Sequence, residues 1–305
     1  MTMRRLSVKE IREFVSRPLF DEKVTLDKDV SWPKISIVTP SYNQAQFLER
    51  TILSVLNQNY PNLEYIIIDG GSVDGSVEII HRYEKYLAYW TSEKDEGQVH
   101  ALNEGFSKTH GDIVGWQNSD DIYLPFAFKQ TSEFFVKHAD VDIVFGNTIF
   151  ISSDETPIGE LRFTPFSALT HLYEGMSINN QSSLWRRDIF SRIGMLDTRF
   201  QFSMDYEFFL RAAKKNIKLK FLRSYLGALR NHEASKSSTI THISRGDHAK
   251  IARIYKNTFL PRWLLKIISL VRRSVYYSIQ GDIGYVFAGF VKRCVAVISR
   301  IKSSE

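Results

Sequence analysis

Two acidic clusters carry the side chains best suited to bind a charged ligand. The first is Asp69-Gly70-Gly71-Ser72-Val73-Asp74-Gly75 and the second is Asn118-Ser119-Asp120-Asp121. A carboxylate can accept hydrogen bonds from a base or a ribose, and glycines let the backbone approach a ligand closely. Carboxylate oxygens are also the ligands that Mg²⁺ prefers. From residue types alone, the first cluster is equally consistent with a turn that caps the next helix, and the second with a solvated loop.

Two further groups lie later in the chain. Asp205-Tyr206-Glu207 opens a predicted helix, and residues two apart on a helix do not share a face, so one acid can point into a cleft while the other does not. Acids at this position would also complement the helix dipole. His232 could ligate a metal and Lys236 could neutralise a diphosphate, although a lone histidine is more often an ordinary surface residue.

The elements that must position these groups follow a β-α pattern. Apolar, β-branched runs predict strands at 35–39, 65–68, 113–116 and 141–150, and helical spacing predicts helices at 47–58 and 76–86. This alternation indicates a largely parallel sheet with helices on both faces. Ligands of such sheets bind at the carboxyl ends of the strands, and Asp69 and Asp120 are predicted to lie there.

Composition places the chain among ordinary globular proteins. It has 305 residues, of which 43% are hydrophobic and 24% charged. The single cysteine, Cys294, cannot form an internal disulfide, and the first 29 residues lack the apolar run of a signal peptide. These features predict a reducing, cytoplasmic setting.

The basic charge is concentrated at the C-terminal end. Residues 241–305 hold 12 Lys/Arg against 3 Asp/Glu, which gives this end +9 in a chain of net charge +6. On a helical wheel, residues 262–279 place an aliphatic stripe opposite cations, while the apolar stretch 284–299 is shorter than the ~20 residues of a transmembrane helix. The tail is predicted to lie on an anionic membrane surface, or alternatively to pack on the catalytic domain. A nucleic-acid binder would instead spread its cations over the folded body.

The order and local sequence of these pieces resemble the family 2 glycosyltransferases, which have the GT-A fold. The resemblance covers roughly residues 34–240 and rests on these segments: Thr39-Pro40-Ser41-Tyr42-Asn43, Asp69 to Gly75, Asn118 to Asp121, Ile193-Gly194-Met195-Leu196-Asp197, Asp205-Tyr206-Glu207, and His232 to Ser237. It implies an α/β, Rossmann-like nucleotide-diphospho-sugar transferase fold with a mixed, mainly parallel sheet flanked by helices. The expected parts are a lead-in (1–33), the GT-A domain (34–240) and a basic amphipathic helical tail (241–305).

The resemblance also implies roles for individual residues. Asp205 would be the catalytic base, with Glu207 as second candidate. Asp120 would be the principal ligand of a divalent cation, Mg²⁺ or Mn²⁺, with Asp121 and His232 as further candidates. The expected donor-binding residues are Pro40, Tyr42, Asp69, Gly71, Ser72, Asp95, Gln98, Asn103, Asn118 and Lys236. Asn118 departs from the family, because many members have the first aspartate of a D-x-D motif there.

The function implied is transfer of a sugar, with inversion, from a nucleotide-diphosphate donor such as a UDP-sugar to a hydroxyl of a glycan or lipid-linked acceptor. Such a reaction belongs to cell-surface polysaccharide or glycolipid synthesis on the inner face of the cell membrane. Two alternatives remain open at this point. A nucleotidyltransferase would release pyrophosphate instead of a nucleoside diphosphate, and a catalytically idle sugar-nucleotide-binding protein would release neither.

Overall fold

A computed structural model of the protein describes residues 6–28, 30–174, 177–232, 241–255, 261–282 and 284–285. The strands are β1 Ile35–Ser41, β2 Leu63–Asp69, β3 Tyr89–Ser92, β4 Ile113–Trp116, β5 Ile122–Tyr123, β6 Ile143–Ile151, β7 Pro157–Leu161, β8 Ser183–Arg186 and β9 Leu219–Arg230. The helices are α1 Val8–Ser16, α2 Ala45–Leu56, α3 Ser76–Tyr83, α4 Gln98–Ser107, α5 Ala127–Lys137, α6 Ala168–Glu174, α7 Ile189–Ile193, α8 Met204–Lys214, α9 Thr241–Tyr255 and α10 Arg262–Ile279. Short 3₁₀ turns occupy Glu84–Tyr86 and Asn180–Ser182.

The strands form one mixed sheet in the order β3-β2-β1-β4-β8-β6-β9-β5, with β7 paired to β6. The β3-β2-β1-β4 half is parallel, as the β-α alternation predicts, and β1 runs beside β2 from Ile35↔Leu63 to Ser41↔Asp69. β8 is antiparallel to both of its neighbours, β4 and β6, whereas β6 and β9 run parallel to each other. The predicted mixed α/β sheet is therefore confirmed, and its parallel half carries the nucleotide-loop candidates at its carboxyl edge.

Helices cover both faces of the sheet because its central strands are apolar on both sides. Residues of α2, α3 and α5, among them Ile52, Ile80 and Phe128, pack on one face. Residues of α4, α7 and α8, among them Phe106 and Phe208, pack on the other. The core fixes α2 on one face and α8 on the other.

The lead-in segment is part of this packed body. Ser7 and Glu10 form a capping box that starts α1, and Ile11 and Val15 of that helix pack against β5, β6 and β9. The Asn57 side chain at the end of α2 also accepts a hydrogen bond from the Leu19 amide at 2.5 Å. The segment before β1 therefore covers one end of the sheet.

Two helices follow the last strand. Ile251 of α9 lies in the same hydrophobic cluster as α8, and α10 spans the residues that the helical wheel predicted, Arg262–Ile279. Among the described residues, no helix is both long enough and apolar enough to cross a membrane.

Candidate functional site

Asp69 lies fully buried at the end of β2 and organises the loop that follows it. Its carboxylate accepts hydrogen bonds from the Ser72 hydroxyl at 2.6 Å, the Ser72 amide at 2.8 Å and the Ser92 hydroxyl at 2.7 Å. Gly71 has a φ of +79°, and a Cβ there would lie 3.2 Å from the Lys94 backbone nitrogen. Three predicted donor-binding residues, Asp69, Gly71 and Ser72, thus form one hydrogen-bonded turn at the carboxyl edge.

Asn43 and Asp74, which have no predicted role, join this turn to the loop after β1. The Asn43 amide donates to the Ser72 hydroxyl at 2.7 Å, and the Asp74 carboxylate accepts from the Ala45 amide at 2.9 Å and the Ser76 hydroxyl at 2.6 Å. Burial alone would raise the pKa of Asp74, but these hydrogen bonds outweigh it and lower the pKa. Asn43 has a φ of +50°, a conformation that asparagine tolerates better than most residues. An asparagine directly after β1 is therefore the sequence signal for this role.

Pro40 and Tyr42 lie on the same edge. Pro40 is buried in β1 opposite Ile68, and Tyr42 directly beyond the strand is 63% exposed. A large exposed aromatic ring next to a glycine-rich turn is available to stack on a planar ligand.

Asp120 and His232 form the next part of the site, although 112 residues separate them. The loop after β4 presents Asp120 and the end of β9 leads into His232, so that the two side chains meet with 3.0 Å between Oδ2 and Nε2. The Asp120 side chain is 20% exposed. A carboxylate and an imidazole are thus brought together at the carboxyl edge, the same edge that carries the Asp69 turn.

Asp121 points the other way and is buried. Its carboxylate accepts hydrogen bonds from the Arg230 amide at 2.8 Å, the Gln181 side chain at 2.8 Å and the Asn118 side chain at 3.1 Å. Burial, followed by the neighbouring charge of Asp120, raises its pKa. Asp121 therefore ties the loop to β9 and to the 3₁₀ turn, while Asp120 faces His232.

Gln181 reaches Asp121 only because Gly227 of β9 lets the 3₁₀ turn come close. A Cβ on Gly227 would lie 1.9 Å from the Gln181 carbonyl oxygen, well inside any permitted contact. The sequence gives no local signal for this pairing.

The buried side chain of Arg230 supports the loop that carries Asp120 and Asp121. Arg230 donates from Nε to the Asp120 carbonyl at 2.8 Å and pairs with Glu155 at 3.1 Å. Its guanidinium lies 4.7 Å from the Phe47 ring centroid, and Phe47 lies 4.6 Å from the His232 ring. Arg230, Phe47 and His232 therefore lie in contact in that order, and His232 in turn contacts Asp120.

The two acids of α8 have different surroundings. Glu207 is buried, pairs with Arg211 at 3.0 Å and accepts a hydrogen bond from the Tyr255 hydroxyl at 2.5 Å. Asp205 lies in the first turn of the helix, where its Oδ1 accepts from the Tyr206 amide at 2.7 Å and the helix dipole favours a carboxylate. The structure thus gives Glu207 a fixed structural partner in Arg211.

The segment between the nucleotide loop and β4 contributes its predicted residues in different ways. Asp95 lies within 3.2 Å of the position of a Cβ on Gly70, and Gln98 donates to the Asn118 side chain at 2.8 Å. Asn103 instead exchanges two hydrogen bonds with the Leu196 backbone, which anchors α4 to the loop before α8. The remaining predicted donor residue, Lys236, lies outside the described residues.

The residues at the edge fit a divalent cation that a nucleotide diphosphate helps to hold. Among the described residues, no three His, Cys, Asp or Glu side chains cluster as a metal site. A cation bound with substrate phosphates needs only one or two protein ligands, however, and the partly exposed Asp120 with His232 provides them. The Asn118 amide bonds Gln98 and Asp121, so it holds the loop in place.

Comparison with known proteins agrees with this geometry. The profile of glycosyl transferase family 2 matches residues 36–197. The chain belongs to this family. An uncharacterized glycosyltransferase of Mycobacterium tuberculosis is 33% identical over 189 residues, which are 60% of this chain and 70% of the relative. TuaG of Bacillus subtilis, a glycosyltransferase named for teichuronic acid biosynthesis, is 31% identical over 140 residues, 44% of this chain and 54% of TuaG.

Solved structures show the same fold at low sequence identity. Staphylococcus aureus TarS in complex with UDP-GlcNAc superposes with a TM-score of 0.57 at 16% identity and covers 80% of this chain and 73% of TarS. The mannosyltransferase PcManGT of Pyrobaculum calidifontis, in complex with GDP-Man and Mn²⁺, gives 0.54 at 16% identity, over 97% of this chain and 86% of that protein. This family 2 glycosyltransferase therefore has the predicted GT-A architecture.

Proposed function

We propose that this family 2 enzyme transfers a sugar, with inversion, from a UDP-sugar to a hydroxyl of a glycan or lipid-linked acceptor. The observation that carries the proposal is the contact of Asp120 with His232 at the carboxyl edge that also holds the Asp69 turn. A cation held by Asp120 and His232 would lie at the same edge as the turn proposed to bind the nucleotide. The TuaG relative supports a polysaccharide acceptor, and UDP-GlcNAc bound by TarS supports a UDP-sugar donor.

Asp205 is the proposed base. It removes the proton of the acceptor hydroxyl, and the hydroxyl oxygen attacks the anomeric carbon. The bond between that carbon and the diphosphate oxygen breaks, and the oxygen of the departing nucleoside diphosphate keeps the electron pair. Glu207 cannot take this part without leaving Arg211 and Tyr255, which would deprive two partly buried polar groups of this partner. The structure thus favours Asp205 over Glu207.

The donor is proposed to lie across the turn of Asp69 and the loop of Asp120. Tyr42 would stack on the base, the Asp69 turn would bind the nucleoside, and Gln98 and Asn118 would line the sugar side. Asp120 and His232 would hold Mg²⁺ or Mn²⁺, as the Mn²⁺ of PcManGT supports, and the cation would neutralise charge on the departing diphosphate.

Turnover with defined nucleotide sugars tests this proposal. Thermal stabilisation by a panel of UDP- and GDP-sugars identifies the donor, since binding to the native state raises stability. The released product is then analysed. A nucleoside diphosphate is expected; pyrophosphate would indicate a nucleotidyltransferase, and no product with any bound donor and several acceptors would indicate an idle binding protein.

We also propose that α10 attaches the enzyme to an anionic membrane surface. The helix packs on the domain through Leu265, Ser269 and Tyr277, and Arg272 donates to the Phe166 carbonyl. It exposes an aliphatic face that includes Ile268, Val271, Val275 and Ile279. From residue 248 to 281 the sequence has seven Lys/Arg and no acid, so the part of the chain that carries this face is strongly basic. Each cation near such a surface contributes about 1 kcal/mol.

Vesicle sedimentation tests the attachment. The enzyme is expected to bind vesicles rich in phosphatidylglycerol but not pure phosphatidylcholine, and to dissociate as salt is added. Val271→Asp with Val275→Asp should abolish binding, whereas Ile158→Asp, at an equally exposed aliphatic residue of β7, should not. Equal binding of the double variant and the wild type would contradict the assignment.

A further inference from the structure

The segment after β9 contacts the helix that carries the proposed base. Asp247 of α9 is 2% exposed, and its Oδ2 accepts hydrogen bonds from the Phe202 amide at 2.9 Å and the Ser203 amide at 3.2 Å. Ser203 is the N-cap residue of α8, but its side chain makes no capping hydrogen bond. A carboxylate from another helix thus holds the two backbone amides that directly precede α8, at the end of the helix where the dipole favours negative charge.

Other contacts fix the same turn. Tyr255, at the end of α9, donates to Glu207, and the His248 ring lies 5.0 Å from the Tyr206 ring. Ile251 between them is fully buried in the core shared with α8. One helix therefore holds both ends of the Asp205-Tyr206-Glu207 segment.

We propose that Asp247 is a positioning residue for catalysis: by holding the Phe202 and Ser203 amides directly before α8 it fixes the first turn and hence the orientation of Asp205. This inference rests on the proposed role of Asp205 as base. The reason is geometric, since a base displaced by about 1 Å can lose up to about 10²-fold in rate while the distant donor-binding residues are unaffected. The family match ends at residue 197, so it includes neither Asp205 nor Asp247.

The test compares Asp247→Asn with Asp142→Asn. Asp142 is a matched control because it is also buried and also accepts a hydrogen bond from a backbone amide, that of Lys218 at 2.7 Å, but at the amino end of β6. Both variants should lose similar stability. Asp247→Asn should in addition lower kcat at least about tenfold, with the donor KM changed less than about threefold, whereas Asp142→Asn should keep kcat.

Equal kcat values for the two variants would overturn the inference, as would a raised donor KM with normal kcat. If Asp247→Asn does not fold, Tyr255→Phe decides the question, because it releases the other end of the segment by removing one hydroxyl. A kcat lowered about threefold is expected, and a normal kcat would overturn the inference. Asp205→Asn distinguishes a failure of the proposed base from a failure of the proposed positioning. Turnover by that variant would contradict the role of Asp205 as base. An inactive Asp205→Asn beside a fully active Asp247→Asn would contradict only the positioning role of Asp247.

Discussion

Glu64 and Asp120, two carboxylates at opposite edges of the sheet, differ in their hydrogen bonds. At the amino edge, Glu64 of β2 is buried and accepts hydrogen bonds from Lys34 at 2.7 Å, Ser36 at 2.5 Å and the His110 amide at 2.7 Å. At the carboxyl edge, the described residues give the Asp120 carboxylate a single hydrogen-bond partner, His232. A carboxylate saturated by protein donors stabilises the fold, whereas one left partly open can bind a ligand.

The pKa of Glu64 reflects its saturation. Burial alone would raise the pKa, but the hydrogen bonds and charge of Lys34, together with Ser36 and His110, lower it to about 2 from 4.5. Because the folded pKa is the lower one, the stabilisation is present above pH 4.5 and is lost as the pH falls towards 2. The amino edge is therefore expected to govern acid stability and the carboxyl edge to govern turnover.

The largest effect is expected at the carboxyl edge. Asp120→Asn should lower kcat/KM by about 10³-fold or more, because it removes a charged ligand of the proposed cation, which would stabilise the leaving diphosphate. Thermal unfolding should change little, since the side chain is partly exposed. Steady-state kinetics with added Mn²⁺ measures the first effect. A variant that turns over normally in the presence of chelator would remove the distinction between the edges.

Glu64→Gln should produce the opposite pattern. The variant should lose about 3 kcal/mol of unfolding free energy at neutral pH while the folded protein keeps its kcat. Urea denaturation between pH 7 and pH 3 measures this, and the difference between wild type and variant should shrink as the pH falls. A constant difference across that range would show that the charge of Glu64 is not the stabilising feature.

Asp121→Asn sharpens the comparison within the carboxyl edge. Because this carboxylate bonds Arg230, Gln181 and Asn118, an amide there keeps the shape but disturbs the hydrogen bonds. We expect a loss of about tenfold in kcat and of about 1–3 kcal/mol in stability, intermediate between Asp120 and Glu64. If kcat falls as far as in Asp120→Asn, Asp121 would be a direct metal ligand.

Phe47→Leu should give the smallest effect. The change keeps an apolar side chain but removes the ring between Arg230 and His232, so the imidazole is less firmly oriented. We expect Mn²⁺ affinity to weaken about threefold, with Phe134→Leu, a partly buried ring on α5, as control. Unchanged Mn²⁺ affinity would show that the orientation of His232 does not depend on the Phe47 ring.

Local sequence patterns predicted much of this architecture. Apolar runs predicted β1, β2 and β4, because the alternation of strand and helix depends on residues that are close in sequence. The predicted strand ends then placed Asp69 and Asp120 on one edge of the sheet. The helical wheel located α10 for the same reason. The family resemblance ranked Asp205 before Glu207 as the base, and the contacts of Glu207 with Arg211 and Tyr255 could not be predicted from the sequence.

Local sequence patterns could not predict contacts between residues that are far apart in the chain. The Arg230 contact to Asp120 spans 110 residues, and nothing near Arg230 in sequence shows that this cation is buried. The predicted boundary at residue 240 rested on the Ser/Thr-rich stretch there, while the packing of Ile251 against α8 depends on a core that no local window contains.

Direct titration of Mn²⁺ in the presence of UDP tests the central claim, that the carboxyl edge holds the cation through Asp120. Calorimetry with the wild type, Asp120→Asn and Glu64→Gln requires no knowledge of the acceptor. Glu64→Gln is expected to bind Mn²⁺ like the wild type, and Asp120→Asn at least about 100-fold more weakly. Wild-type Mn²⁺ affinity in Asp120→Asn would contradict that claim.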